Sequence, residues 1–210
     1  MANSQTTDVP AVDAVDLVFA LRGRAILADY AGRLRSELLR CLPWLADEVR
    51  VGVHPLGGVS DGEGEQYLSG RSRLTLRLPR GRVDQAQALC GQRLDLGGDV
   101  EVGRASAREL SPATVLYSSF VAYGPADETA FMAECQREFA GLRFRNADLI
   151  CGMAQRASGG GVEVSGFSLM VHGLSAVESL QLQMTGLGSQ RQLGCGIFVP
   201  HKSIAGVGEG

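Results

Sequence analysis

The chain has 210 residues, 45% of them hydrophobic, and a formal net charge of −3. That composition supports one domain or two small ones with a real core, and no apolar run is long enough to span a membrane. The negative charge argues against a generic polyanion binder, and five cysteines without C-x-x-C spacing fit reduced thiols in a cytoplasm better than a disulfide frame or a zinc site.

Residues 1–12 are polar and acidic and are expected to form a disordered tail with no signal- or transit-peptide character. Residues 15–23 alternate like a strand. Residues 27–42 form an amphipathic helix with Leu34, Leu38, Leu39 and Leu42 inward, stopped by Pro43. A strand at 50–56 is followed by a loop by composition at 57–66, then a cleanly alternating strand at 72–78. A helix at 82–92 and a strand at 94–103, broken by glycines as at a bulge, complete β-α-β-β-α-β. The second half repeats that order: a strand at 115–123, a helix at 127–142 capped by Asp127 or its predecessor, strands at 144–153 and 162–171, a helix at 175–185 and a last short strand. The resulting fold is α+β, two tandem ferredoxin-like units at 13–108 and 112–204 with a tail at 205–210.

Three features bear on chemistry. Nineteen of the twenty basic residues are arginine, a planar fork suited to phosphate, and Lys202 is the one lysine. On the strand at 72–78, Leu74, Leu76 and Leu78 share one side while Arg71, Arg73, Thr75 and Arg77 share the other, either a ligand face or an ordinary solvated one. Between the last helix and the last strand lies "GLGSQRQLGCGIF", with Gly186, Gly188, Gly194 and Gly196 in two Gly-x-Gly pairs. It is neither a Walker loop nor a dinucleotide fingerprint, because no Gly-Lys pair follows and the order is helix to strand. Four glycines in eleven residues suggest bare backbone against a ligand, with Gln190 and Arg191 projecting from the middle; a packing loop is the plainer alternative.

This loop, in this position behind doubled β-α-β-β-α-β units, resembles the CRISPR repeat-RNA endoribonucleases of the Cas6 group, RAMP-type proteins. "GFSLMVHGL", "GCGIFVPHKSI", "GVHPL" and "RLTLRLP" are similar to its Cmx6 branch in particular. The resemblance spans about residues 14–204. It implies metal-independent cleavage of pre-crRNA without a cofactor: the RNA's own 2′-OH attacks, leaving a 2′,3′-cyclic phosphate and a 5′-OH. It also implies CRISPR repeat RNA as partner, retention of the product among other Cas subunits, and no membrane. A non-catalytic repeat-RNA-binding subunit of the same fold is the alternative.

Histidine is the natural proton carrier near neutral pH. His54, just after the first helix, matches the position of the family's catalytic histidine; His201 and His172 are the other candidates. By the same resemblance Tyr30, at the start of the first helix, and Lys202 would complete the catalytic group, with Arg50, Arg71 or Arg73 as substitutes for the lysine. Arg71, Arg73, Arg77, Gly186, Gly188, Gln190, Arg191, Gly194 and Gly196 would hold RNA.

Overall fold

The computed structural model describes residues 12–124, 127–144, 147–159 and 162–201. Lys202, the expected C-terminal tail and all of the expected N-terminal tail but Val12 lie outside them.

The first half runs β1 (Ala14–Arg22), β2 (Ala25–Leu27), α1 (Ala31–Cys41), β3 (Gly52–Val53), β4 (Val59–Ser60), β5 (Glu65–Tyr67), β6 (Arg73–Pro79), α2 (Val83–Ala86), β7 (Arg93–Asp95) and β8 (Asp99–Glu109). The second runs β9 (Val115–Ala122), α3 (Glu128–Gly141), β10 (Asp148–Gly159), β11 (Val162–His172), α4 (Ala176–Thr185) and β12 (Val199–Pro200). The sheets are ordered β3-β6-β1-β8-β7 and β10-β11-β9-β12. With the extra edge strand β7 set aside, both place their four main strands in the order second-third-first-fourth, and all pairs are antiparallel. This is the tandem ferredoxin-like arrangement expected. Each sheet carries its own apolar cluster, one drawn from Val15 to Val102 and the other from Leu116 to Phe198.

Local chemistry explains where the elements depart from the sequence expectation. The first helix begins at Ala31 because residues 25–27 pair with β5 in a small third sheet, which also turns part of the expected 57–66 loop into β4 and β5. Leu34, Leu38 and Leu42 are buried as expected, and Leu39 is half-buried. The expected helix at 82–92 is one turn of α-helix between two 3-10 turns. Glycines 97 and 98 form a hairpin between β7 and β8 rather than a bulge, with Gly97 at φ 84°. In the second half Asp127 accepts from the Ala130 N–H and caps α3, and Ser175 with Glu178 forms a capping box on α4.

The largest departure is Arg77. Alternation places it beside Arg71 and Arg73 on an open arginine face, yet it is 1% exposed while Arg71 and Arg73 are exposed. The second half covers that end of β6. Arg77 Nε and Nη2 donate to the two Asp16 carboxylate oxygens at 2.8 and 3.1 Å, and Nη1 donates to the Gln183 and Phe198 carbonyls at 3.1 and 2.6 Å. Arg77 is therefore removed from the expected RNA-facing set: it binds the two halves to each other. The segment between the halves is held by the same helix, since Gln183 Nε2 donates to the Ser111 carbonyl at 2.8 Å and Ser179 Oγ accepts from the Ala113 N–H at 2.9 Å.

Breaking a buried ion pair on one side strands the other charge, so Arg77→Met is expected to lower unfolding free energy by about 3–5 kcal/mol in urea titrations. Burial raises the Asp16 carboxyl, but His54 and Arg77 more than offset it and hold it well below the usual range. A carboxylate with a depressed folded value stabilises above its unfolded value, about pH 4, and that contribution is lost as pH falls below it. Acidification below about pH 4 should therefore cost the wild type more stability than it costs Arg77→Met.

Candidate functional site

The loop after β3 brings His54 to the start of α1. Its backbone N–H pairs with the Thr75 carbonyl on β6 at 2.9 Å, so the strand ladder sets where the ring emerges. Two residues on, the Leu56 N–H donates to the Tyr30 hydroxyl at 2.6 Å. That bond ties the His54–Leu56 segment to the first residue before α1. Tyr30, His54 and Pro55 then share a cavity of about 30 Å³ with Gln192, Leu193 and Gly194 of the glycine loop. Tyr30 and His54, 24 positions apart, thus meet, and the glycine loop forms the opposite wall.

Burial pushes the Tyr30 phenol above its ordinary value, with the Leu56 hydrogen bond acting the other way, so it stays protonated. Because the hydroxyl accepts from Leu56, its proton is left to be donated. Burial also pushes the His54 imidazole below its ordinary value; Asp16 opposes this, and Arg77 and Arg108 add to it. A neutral imidazole at pH 7 can accept a proton. The ring is 13% exposed, and its Nε2 stands 3.3 Å from Asp16 Oδ1.

The other sequence candidates lie elsewhere. His201 is exposed and packs on Tyr117 with ring centroids 5.6 Å apart, and His172 stands 3.8 Å from Asp148. Neither lines the Tyr30–His54 cavity. Arg50 is committed to Glu48 and Asp13. Arg73 folds back, its Nη1 donating to the Gly70 and Ser72 carbonyls at 2.8 Å. The residues that sequence patterning missed are Asp16 and Gln192. Gln192 Nε2 donates to the Leu45 carbonyl at 2.8 Å, pinning the loop beneath the turn that follows α1.

The glycine loop itself is built differently from the expectation of bare backbone turned to a ligand. Seven of its backbone N–H groups, those of Gly186, Gly188, Ser189, Leu193, Gly194, Cys195 and Gly196, donate within the protein. What approaches so closely is the protein's own backbone. A Cβ on Gly196 would stand 2.1 Å from the Leu187 carbonyl oxygen, and one on Gly188 2.6 Å from that of Ala122. All four loop glycines have positive φ, between 65° and 91°. Arg191 does not project from the middle. Its Nη1 and Nη2 donate to the Thr185 and Met184 carbonyls at 2.5 and 3.1 Å, closing the end of α4. Burial, and then the Arg77 charge, lower it to about 10. Gln190 is exposed in left-handed backbone at φ 61° and, with its neighbour Ser189, remains on the outside of the loop.

Gly194 differs from the others: a Cβ there would meet nothing nearer than 3.6 Å, at Pro55 and the Val53 carbonyl. Gly194→Ala is expected to cost about 1–2 kcal/mol for positive φ alone. Gly196→Ala adds overlap with fixed backbone and should cost at least about 1 kcal/mol more. Thermal melts of the two variants side by side check the order.

The family model described as Cas6 Crispr matches residues 15–203. Over 188 residues the chain is 37% identical to the CRISPR-associated endonuclease Cas6 of Myxococcus xanthus, across 89% of this chain and 81% of that protein. Among solved structures, the protein of a Cas6-related gene from Pyrococcus furiosus aligns with a TM-score of 0.69 at 12% identity, over 90% of this chain and 99% of its own. A RAMP protein that binds different RNA substrates aligns with a TM-score of 0.64 at 15% identity, over 88% of this chain and 98% of its own. The two structures share the fold described above, and the sequence matches, which run nearly the whole described length, decide the membership: the chain belongs to the Cas6 family of CRISPR-associated proteins.

Proposed function

We propose that this chain is an endoribonuclease that binds CRISPR repeat RNA and cleaves pre-crRNA, with His54 and Tyr30 at the scissile phosphate. The observation that carries this is the meeting of His54 and Tyr30 in one cavity walled by the glycine loop, where burial favours the neutral form of each. Kinship to an endonuclease over most of the chain supports it.

The chemistry follows from the groups present. A 2′-OH is too weak an acid to ionise unaided at pH 7, and a neutral imidazole takes its proton as the oxygen attacks the adjacent phosphorus. The phosphorus–5′-oxygen bond then breaks, the departing oxygen takes a proton, and a 2′,3′-cyclic phosphate and a 5′-OH remain. The Tyr30 hydroxyl donates to the phosphorane oxygens or to the leaving oxygen. Such proton-transfer help is typically worth about 10²- to 10⁴-fold. No metal enters the scheme. Lys202, which lies outside the described residues, takes in this proposal the part that the family resemblance gives it and supplies positive charge to the phosphorane, while Arg71 and Arg73, exposed at the near end of β6, contact the RNA backbone together with Gln190. The product is retained by contacts spread over both halves, with the chain acting as a subunit among other Cas proteins in the cytoplasm.

Single-turnover cleavage of a repeat transcript in EDTA tests this. His54→Ala should lose about 10²-fold or more in rate with Kd changed only a few-fold. A 2′-deoxy sugar at the scissile position should give a substrate that wild type binds and does not cut; cutting it overturns 2′-OH attack. Tight repeat binding by wild type with no cleavage at all would instead assign the chain to the non-catalytic RNA-holding subunits.

For Arg71 and Arg73 the readout is salt dependence. If both touch phosphate, the double Ala variant should bind repeat RNA more weakly and flatten the plot of log affinity against log salt by about 0.7 for each phosphate no longer neutralised. An unchanged slope returns them to an ordinary solvated edge.

A further inference from the structure

Asp16 has more partners than its ion pair with Arg77 requires. Beyond the two bonds from that guanidinium, Arg108 Nη2 lies 3.1 Å from Oδ2 and His54 Nε2 lies 3.3 Å from Oδ1. The junction between the halves accounts for Arg77; it does not account for the histidine. His54 Nε2 is also one of three buried side-chain nitrogen or oxygen atoms among the described residues that lack a hydrogen-bond partner, with Trp44 Nε1 and Arg191 Nε. Asp16 Oδ1 is near enough to be that partner but poorly aligned. Buried polar groups are as a rule paired, and catalytic hydrogen bonds that are loose in the free enzyme commonly tighten once substrate is bound.

We propose that Asp16 is the positioning residue of His54: it holds the imidazole with the Nε2 proton toward β1 and so presents Nδ1 as the proton acceptor. The proposal rests on the reading of His54 as the proton carrier. The physical case has three parts. A carboxylate kept ionised by a bidentate arginine is a fixed acceptor, and a neutral imidazole facing it places its one proton on the facing nitrogen. When the ring takes the 2′-OH proton, the same carboxylate stabilises the imidazolium, as an orienting acid does in a nucleophile–histidine–acid triad. Finally, Asp16 lines a separate cleft with Arg77, Arg108 and Ser111, while His54 lines the cavity with Tyr30, so Asp16 acts through the ring and not on the substrate.

The charges facing His54 come from three strands: Asp16 on β1, Arg77 on β6 and Arg108 on β8, with the Tyr30 hydroxyl across the cavity. Asp16 favours the protonated ring, whereas both arginines and burial oppose it. Removing Asp16 and removing Arg108 therefore push the ring in opposite directions, and the loss of plateau rate on removing Asp16 reports the positioning itself.

The test is single-turnover cleavage of repeat RNA against pH, at saturating enzyme, for wild type, Asp16→Asn, Arg108→Gln and His54→Ala. Asp16→Asn should move the acidic limb down by about one unit or more and lower the plateau at least about tenfold, with Kd unchanged. Arg108→Gln should move the limb up. Arg108 is 66% exposed, so this second variant should fold, and it decides alone if Asp16→Asn does not. Limbs that fail to part in opposite directions, or, if Asp16→Asn fails to fold, an Arg108→Gln limb that does not rise, overturn the role of Asp16 while an inactive His54→Ala leaves the proposed function standing. Full cleavage by His54→Ala removes both.

Discussion

The Arg77 guanidinium is the contact on which the rest depends. It sits in the second strand from the edge of the first sheet, and four acceptors take its hydrogens: both Asp16 oxygens and the carbonyls of Gln183 and Phe198. Gln183 belongs to α4 and Phe198 lies two residues beyond Gly196. One side chain therefore fixes both ends of the glycine loop relative to the first sheet. Burying a charge so deeply carries a large desolvation cost, offset only when geometry is good and every donor is used. What it secures is placement: with α4 and Phe198 held, the loop must lie against β3, and the segment carrying His54 leaves from β3.

That placement explains the glycines. A Cβ on Gly52 of β3 would stand 2.4 Å from Ile197 Cδ1 and 3.3 Å from Arg191 Nη2, so the first half too is thinned where the loop meets it. Glu138 accepts from both the Gly188 N–H and the Tyr123 hydroxyl, and Ser189 pairs with Ala122 at the end of β9. The loop is thus a clasp drawn tight onto β9, α3 and β3, and its outward residues are few. In a Cas6 protein such rigidity has a use. The proposed cleavage site is assembled from two halves and needs its wall held close to the histidine, because in-line attack tolerates little misplacement.

The same network joins stability to chemistry. Asp16 serves Arg77 on one side and stands beside His54 on the other, so the ion pair that locks the halves together also sets the electrostatic surroundings of the candidate proton carrier. Two positively charged neighbours and burial keep that histidine neutral against one carboxylate. A group meant to take a proton near pH 7 benefits from that balance, since a ring already protonated cannot act as base.

Much of this was legible in the sequence alone. Periods of 2 and 3.6 located both β-α-β-β-α-β units, because strand and helix faces are local properties of the chain; the core face Leu74, Leu76, Leu78 and the inward Leu34, Leu38, Leu42 all emerged from spacing. The glycine loop, its place behind the doubled units and the motifs around it pointed to the family. Tertiary structure decided the rest. Periodicity marked Arg77 as lying opposite the core, but only the arrival of α4 on that face turned an exposed arginine into a buried one, and contacts across 106 and 121 residues leave no local trace. The glycines showed that something came close without showing that it was Leu187 and Ala122. Asp16, a single acid in an apolar strand, carries no signal of its own until folding sets it between an arginine and a histidine, because a charge network is a property of neighbours in space and not of neighbours in sequence.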